Sequence, residues 1–300
     1  MIPRRKALTI LAGAAALPFV GTARAMTRTQ QWKGIALGAE ARIVLDHPEA
    51  DQILPRAVAE IRRLEKIFSL YLPNSELTQL NAKGVLSAPS FEMVELLSAC
   101  GRMNSVTNGA FDPTVQNLWT LYARQAVLDQ YPSDSQIADA LDLTGWKNVR
   151  FSSQKVWVEQ AGVKLSFNGI AQGFIADKVG DLLRREGVIN VLVNTGEISA
   201  LGTAPDGNPW RVSTAGPQPH DFNLTNGAVA TSAPLGTVLG ANGAVGHILD
   251  PRSGRPGGRW TEVTVLADTA TEADALSTGF CLMTRAEIKA SQGGRKVILS

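Results

Sequence analysis

The chain has 300 residues, 44% hydrophobic and 19% charged, enough apolar material for the core of one large domain or two of ordinary size. A formal net charge of +2, part of it in the first few residues, gives no basis for nucleic-acid binding, and no RNA- or DNA-binding signature is present. The two cysteines, Cys100 and Cys281, belong to no CxxC or Cys/His cluster, which argues against a zinc site. Both sit in helix-like apolar runs and read as core residues, with a single disulfide left open for an oxidising compartment.

The N-terminus reads Met1-Ile2-Pro3-Arg4-Arg5-Lys6, then an apolar run from Ala7 to Val20, then the small-x-small pattern Ala23-Arg24-Ala25. This is the three-part layout of a secretory signal. The apolar run is too short to span about 30 Å of hydrocarbon. The paired Arg4-Arg5 resembles a twin-arginine signal, with Leu8 where a Phe is often found. The reading is a cleaved export signal over 1–25, a mature chain from Met26 to 300, and a periplasmic location.

Downstream, Glu40–Asp46 alternates as a strand does. From Glu49 to Phe68 apolar residues recur at three and four, the pattern of an amphipathic helix; Pro55 suits only a first turn, which allows the regular part to begin there. A turn follows over Ser69–Leu77, with Ser75 able to cap a short helix. Helices are predicted over Ser90–Thr107, Asn117–Val127, from Pro132-Ser133-Asp134, over Gly169–Glu186 and over Thr271–Met283. Strands are predicted over Val149–Glu159, Val163–Phe167, Val188–Asn194, Trp210–Thr214, Val229–Ser232, Val245–Leu249, Val263–Ala267 and Lys296–Leu299, with Pro205–Gly227 the most irregular stretch. Short strands joined by Gly/Pro turns and interspersed with helices indicate an α+β fold with largely antiparallel sheets.

Four segments place polar groups where core logic does not call for them. In Gly109-Ala110-Phe111-Asp112-Pro113-Thr114-Val115, Asp112 is held extended by Pro113 and is otherwise a helix N-cap. In Leu165-Ser166-Phe167-Asn168-Gly169-Ile170-Ala171-Gln172-Gly173, a Gly-bearing turn opens a helix; exposed amides at a helix start bind phosphate, and the same wording also makes a plain tight turn. Gly246-His247-Ile248-Leu249-Asp250-Pro251-Arg252-Ser253-Gly254 carries one of three histidines, a candidate base or a structural residue. In Thr271-Glu272-Ala273-Asp274-Ala275-Leu276-Ser277-Thr278, Asp274 and Thr278 share one helix face. A carboxylate and a hydroxyl suit a hard cation such as Mg²⁺; the plain alternative is a first-turn Asp favoured by the helix dipole.

Taken together, in this order, these segments resemble the ApbE family of FAD:protein FMN transferases from about Gly34 to Met283. The likeness also includes Phe68 to Leu77, closing near Asn81, the run Gly169 to Asp177, the turn Asn194 to Gly196, and Ala230-Thr231-Ser232. The resemblance implies a T-fold-like architecture and FMN transfer from FAD to a Ser or Thr hydroxyl of a partner protein, with AMP released. It implies that Tyr71, Ala110, Phe111, Asp112, Ser166, Gln172 and Ile248 bind FAD. Mg²⁺ would be held by Asp274, Thr278 and the carbonyl of Gly169, with His247 near the transferred phosphate as base or orienting group, and Asp250 placed by spacing to orient it. Departures are Leu37 for a common Met, Ser166 for Asp, Gln172 for Lys, Gly196-Glu197-Ile198 for Gly-Gly-Asp, and Thr271 where some members carry an additional acidic ligand. The twin-arginine-like start also resembles NosX-type members, which serve flavinylation of the membrane regulator in nitrous-oxide respiration. The expected partner is therefore an exported or membrane protein with a Ser/Thr flavinylation site. Hydrolysis of FAD to FMN and AMP, and a non-catalytic FAD-binding role, are the alternatives.

Overall fold

The computed structural model describes residues 8–10, 29–214, 219–239 and 245–300. The export-signal reading over 1–25 and the cleavage pattern at Ala23–Ala25 lie outside the described residues, apart from Leu8–Ile10, which runs along Trp210–Thr214.

Eight α-helices occur among the described residues: α1 (Ala50–Phe68), α2 (Glu76–Lys83), α3 (Phe91–Val106), α4 (Gln116–Val127), α5 (Asp134–Asp142), α6 (Ala171–Arg185), α7 (Ala270–Phe280) and α8 (Arg285–Ser291). The main sheet has seven strands in the order Lys296–Leu299, Val263–Ala267, Asn226–Ser232, Ile198–Leu201, Val191–Asn194, Ala39–Asp46, Thr29–Ala36. Every pairing in it is antiparallel. A three-stranded sheet sets Lys155–Val158 between Val85–Ser87 and Val149–Phe151. The fold is thus α+β with antiparallel sheets.

The main sheet is buried on both faces. Strand residues point alternately to opposite sides, so Ile43, Leu45, Val191, Val193, Ala228 and Ala230 join the helices in the principal core. Their neighbours Val44, Leu192 and Val229 join a second core with Trp210, Val212, Phe222 and Leu224 of a hairpin laid over the far face. Burial on both sides is why Val191-Leu192-Val193 is uninterrupted apolar sequence. Against the near face lie α1, α6 and α7, with Ile53, Ala57, Ile61, Leu64 and Ile67 forming the buried stripe of α1.

Several boundaries differ from the sequence reading. α1 begins at Ala50 and takes Pro55 inside it; Ile53 N–H already bonds the Glu49 carbonyl, so the helix is established before the proline. Val163–Phe167 is not a strand. Its polar backbone is satisfied by the Asn81 side chain, which bonds both N–H and C=O of Leu165, and by the Pro113 carbonyl, which accepts from Ser166 N–H at 2.7 Å. The Pro205–Gly227 stretch contains the ordered strand Asp221–Leu224, and Val245–Leu249 is a strand only at Val245–Gly246. Both cysteines are buried thiols; no disulfide joins them, and burial pushes the Cys100 ionisation up. No helix among the described residues is long and apolar enough to cross a membrane.

Candidate functional site

Four segments from distant parts of the chain meet at one cleft. The loop after α3 contributes Ala110, Phe111 and Asp112, and the turn before α6 contributes Ser166 and Gly169. The segment after Val245–Gly246 supplies His247 and Ile248, and α7 supplies Thr278. Pro113, Val115, Trp119, Asn168, Leu249 and Leu282 also line the cleft. The sequence marks none of them as a ligand, although Pro113, Val115, Asn168 and Leu249 stand inside the motifs.

Hydrogen bonds hold the first two walls. Phe111 N–H donates to Thr107 Oγ1 at 2.9 Å, and Asn104 Nδ2 donates to the Phe111 carbonyl at 2.8 Å. Asp112 accepts at Oδ1 from Thr114 N–H (2.9 Å) and Oγ1 (2.6 Å), and at Oδ2 from Trp146 N–H (2.8 Å). It therefore caps the short 3₁₀ turn Pro113–Val115 and ties it to Trp146. Burial nevertheless raises its pKa above the ordinary carboxylate value, against the pull of the Thr114 and Trp146 donors. Asn81, whose only mark in the sequence was closing a motif, steers Leu165 and thereby Ser166 into the cleft.

His247 is half-buried, and its Nδ1 lies 3.0 Å from the Thr237 carbonyl and 3.2 Å from that of Pro234. Both neighbours are acceptors, so Nδ1 carries the proton and Nε2 is the basic nitrogen of the neutral ring. Asp250 does not orient this ring. Its carboxylate holds the Arg252 guanidinium at 2.9 and 2.8 Å.

Gly169, in the turn before α6, packs against Thr278 of α7, and Asp274 lies one helical turn before Thr278. A Cβ on Gly169 would lie 2.9 Å from Thr278 Oγ1. Asp274 is fully buried and accepts from Gly173 N–H at 3.0 Å. It lies behind the cleft wall rather than on it. Gln172 is also behind the wall: its Nε2 donates to the Thr195 carbonyl at 2.9 Å while Thr195 Oγ1 donates to the Gln172 carbonyl at 2.7 Å. This clamp braces the turn at Gly196, whose φ of 110° brings its backbone so close that a Cβ would meet Gln172 Nε2 at 2.5 Å. Tyr71 is 54% exposed and does not line the cleft; its N–H bonds Ser69 Oγ. Thr271 donates its hydroxyl to Asp177 at 2.6 Å.

The cleft-lining residues include neither Lys nor Arg, and the described residues hold no cluster of three or more His, Cys, Asp or Glu. A diphosphate bound there would find no side-chain cation to neutralise it. One carboxylate, one hydroxyl and one backbone carbonyl are hard oxygen donors, the set with which Mg²⁺ is held when substrate phosphates complete its shell. By donor type alone, the Asp274 carboxylate, the Thr278 hydroxyl and a backbone carbonyl suit such an ion.

Comparison with known proteins identifies the family. The ApbE family profile matches residues 37–296. A FAD:protein FMN transferase of Vibrio cholerae serotype O1 is 30% identical over 244 residues, which cover 74% of this chain and 71% of the relative. The apo flavinyl transferase ApbE of Pseudomonas stutzeri shares the fold with a TM-score of 0.81 at 27% identity, over 91% of each chain. The ApbE protein of Thermotoga maritima does so with a TM-score of 0.81 at 28% identity, over 91% of this chain and 94% of the other. With the profile spanning most of its length and the fold shared with these structures, the chain belongs to the ApbE family.

Proposed function

We propose that this protein transfers FMN from FAD to a Ser or Thr hydroxyl of a partner protein and releases AMP. The observation that carries the proposal is the cleft itself. Ser166, Asn168 and Gly169 line it together with His247 and Thr278 and the apolar Phe111, Trp119, Ile248 and Leu282. Flat aromatic and heterocyclic groups suit such walls, and the turn before α6 lines the cleft where a diphosphate would lie.

In this reading Asp274, Thr278 and the Gly169 carbonyl hold Mg²⁺, which when bound neutralises diphosphate charge as a Lewis acid. His247, fixed by its Nδ1 bonds, takes the acceptor hydroxyl's proton at Nε2. The hydroxyl oxygen forms a bond to the flavin-side phosphorus, the bond from that phosphorus to the bridging oxygen breaks, and AMP departs. Phosphoryl-type transfer of this kind depends mainly on positioning and electrostatics, and no covalent enzyme intermediate is needed. The Arg4-Arg5 signal pattern supports a reaction in the periplasm on an exported or membrane partner.

The test incubates residues 26–300 with FAD, Mg²⁺ and an acceptor protein bearing an exposed Ser/Thr site, and follows the acceptor by mass spectrometry. A gain of one FMN with matching AMP release is expected. Free FMN formed equally without acceptor turns the reading to hydrolysis, and tight FAD binding without AMP turns it to a binding role.

A further inference from the structure

α6 and α7 exchange caps. Gly173, in the first turn of α6, donates its N–H to Asp274 of α7 at 3.0 Å. Ala270 and Thr271, in the first turn of α7, donate their N–H groups to the two carboxylate oxygens of Asp177 in α6, each at 2.8 Å. In both helices the carboxylate lies one turn beyond the amide: Gly173 then Asp177, Ala270 then Asp274. The crossing is close, since a Cβ on Gly173 would sit 2.1 Å from the Ala270 carbonyl oxygen.

α7 has its own N-cap, because Thr269 accepts from Glu272 N–H at 3.3 Å. The helix start therefore does not need a distant carboxylate to form. Asp177 supplies something the local cap does not: a link to the helix whose approach turn carries Gly169. Three donors converge on Asp177, Thr271 Oγ1 at 2.6 Å among them. Thr278 lies two turns and Asp274 one turn along α7 from these contacts, and Mg²⁺ tolerates little departure from 2.0–2.1 Å octahedral geometry.

We infer that Asp177 is a positioning residue for the cation cradle, fixing α7 along its axis so that Asp274 and Thr278 meet the Gly169 turn. This inference rests on the cation reading above. A helix start released from Asp177 can slide or tilt while remaining folded, with Asp274 and Thr278 displaced relative to Gly169. Partners that orient metal ligands from behind typically cost about 10–100-fold in metal affinity when removed.

The experiment follows the thermal midpoint of the FAD-loaded protein as Mg²⁺ is titrated, alongside FMN transfer at each concentration. Asp177→Asn keeps the size but presents an N–H₂ to one of the α7 donors. Thr271→Val removes one of the three bonds and serves if Asp177→Asn does not fold. Val179→Ala, in the same helix and fully buried away from the cleft, is a general destabilisation control. Asp177→Asn is expected to raise the half-saturating Mg²⁺ about tenfold, and Thr271→Val by a smaller factor, with transfer restored at high Mg²⁺. Val179→Ala is expected to lower the midpoint with the half-saturating Mg²⁺ unchanged. If the Asp177 variant, or Thr271→Val in its place, behaves like Val179→Ala, the positioning role is overturned. If the wild-type protein itself shows no response to Mg²⁺, the cation reading falls and the inference with it.

Discussion

The side-chain amide of Asn81 and the backbone of Leu165 exchange two hydrogen bonds, Nδ2–H to O and N–H to Oδ1, each 2.8 Å long. Asn81 stands in for a β-strand neighbour, and Ser166 is carried into the cleft on the segment it braces. Asn81→Ala leaves both groups of the buried Leu165 without these partners and should cost about 2 kcal/mol of stability. FAD affinity should fall as well, by isothermal titration. Unchanged affinity together with unchanged unfolding would remove Asn81 from the account of the site.

The Nδ1 contacts of His247 make a separable prediction. His247→Ala should lower the transfer rate constant by about 10²–10⁴-fold while leaving FAD binding within a few-fold of the parent. Single-turnover kinetics at saturating FAD measures the first and fluorescence titration the second. A variant that loses FAD binding and keeps its rate constant would contradict a proton-transfer role.

Thr278→Ala and Gly169→Ala attack the cradle from opposite sides. The first removes a hydroxyl; the second inserts a methyl 2.9 Å from it. Both should raise the Mg²⁺ needed for half-maximal transfer about tenfold, and Thr278→Ser should restore the parent value. Equal Mg²⁺ dependence in all four proteins would rule the hydroxyl out as a ligand.

Asp112 links the cleft to acid stability. Its folded pKa is raised by burial above the unfolded value near 3.8. Between the two values the native state binds more protons than the unfolded state. Its contribution is therefore fully present below about 4 and is lost as pH rises through the folded value. Asp112→Asn does not titrate, and its amide opposes the donors of Thr114 or Trp146, so it should destabilise by about 1–3 kcal/mol. The gap in thermal midpoint between parent and variant should narrow from pH 4 to pH 7. A gap that widens with pH would show that the carboxylate, not the acid, is the favoured native form.

Much of the cleft lining was legible because it comes from short contiguous runs. Ala110–Asp112, Ser166–Gly169, His247–Ile248 and Asp274–Thr278 each carry their geometry with them: a cap, a turn, a ring and a helix face. What escaped was held by partners far apart in the chain. Nothing in the wording around Asn81 names Leu165, and nothing near Asp177 names the start of α7. The strand Thr29–Ala36 escaped because its outer position leaves Gln30, Gln31 and Lys33 in a polar run. The turn after it uses Leu37 and Gly38 at φ of 45° and 76°, and leucine is a poor advertisement for that conformation. α8, by contrast, could have been read: Thr284 and Glu287 form a reciprocal cap whose spacing is visible in the sequence. Gln172 and Tyr71 show the opposite limit, since a motif position does not by itself say which side of a wall a side chain occupies.

The cleft wall carries no permanent positive charge, and that has a consequence for how the protein responds to its surroundings. On the cation reading proposed above, nucleotide occupancy is thermodynamically linked to the divalent ion rather than to a fixed guanidinium or ammonium, so each strengthens the hold of the other by the same factor. Chelation of the compartment's magnesium should then empty the protein of dinucleotide, and replenishment should refill it, making the supply of inorganic ion a throttle on output without any change in the amount of enzyme.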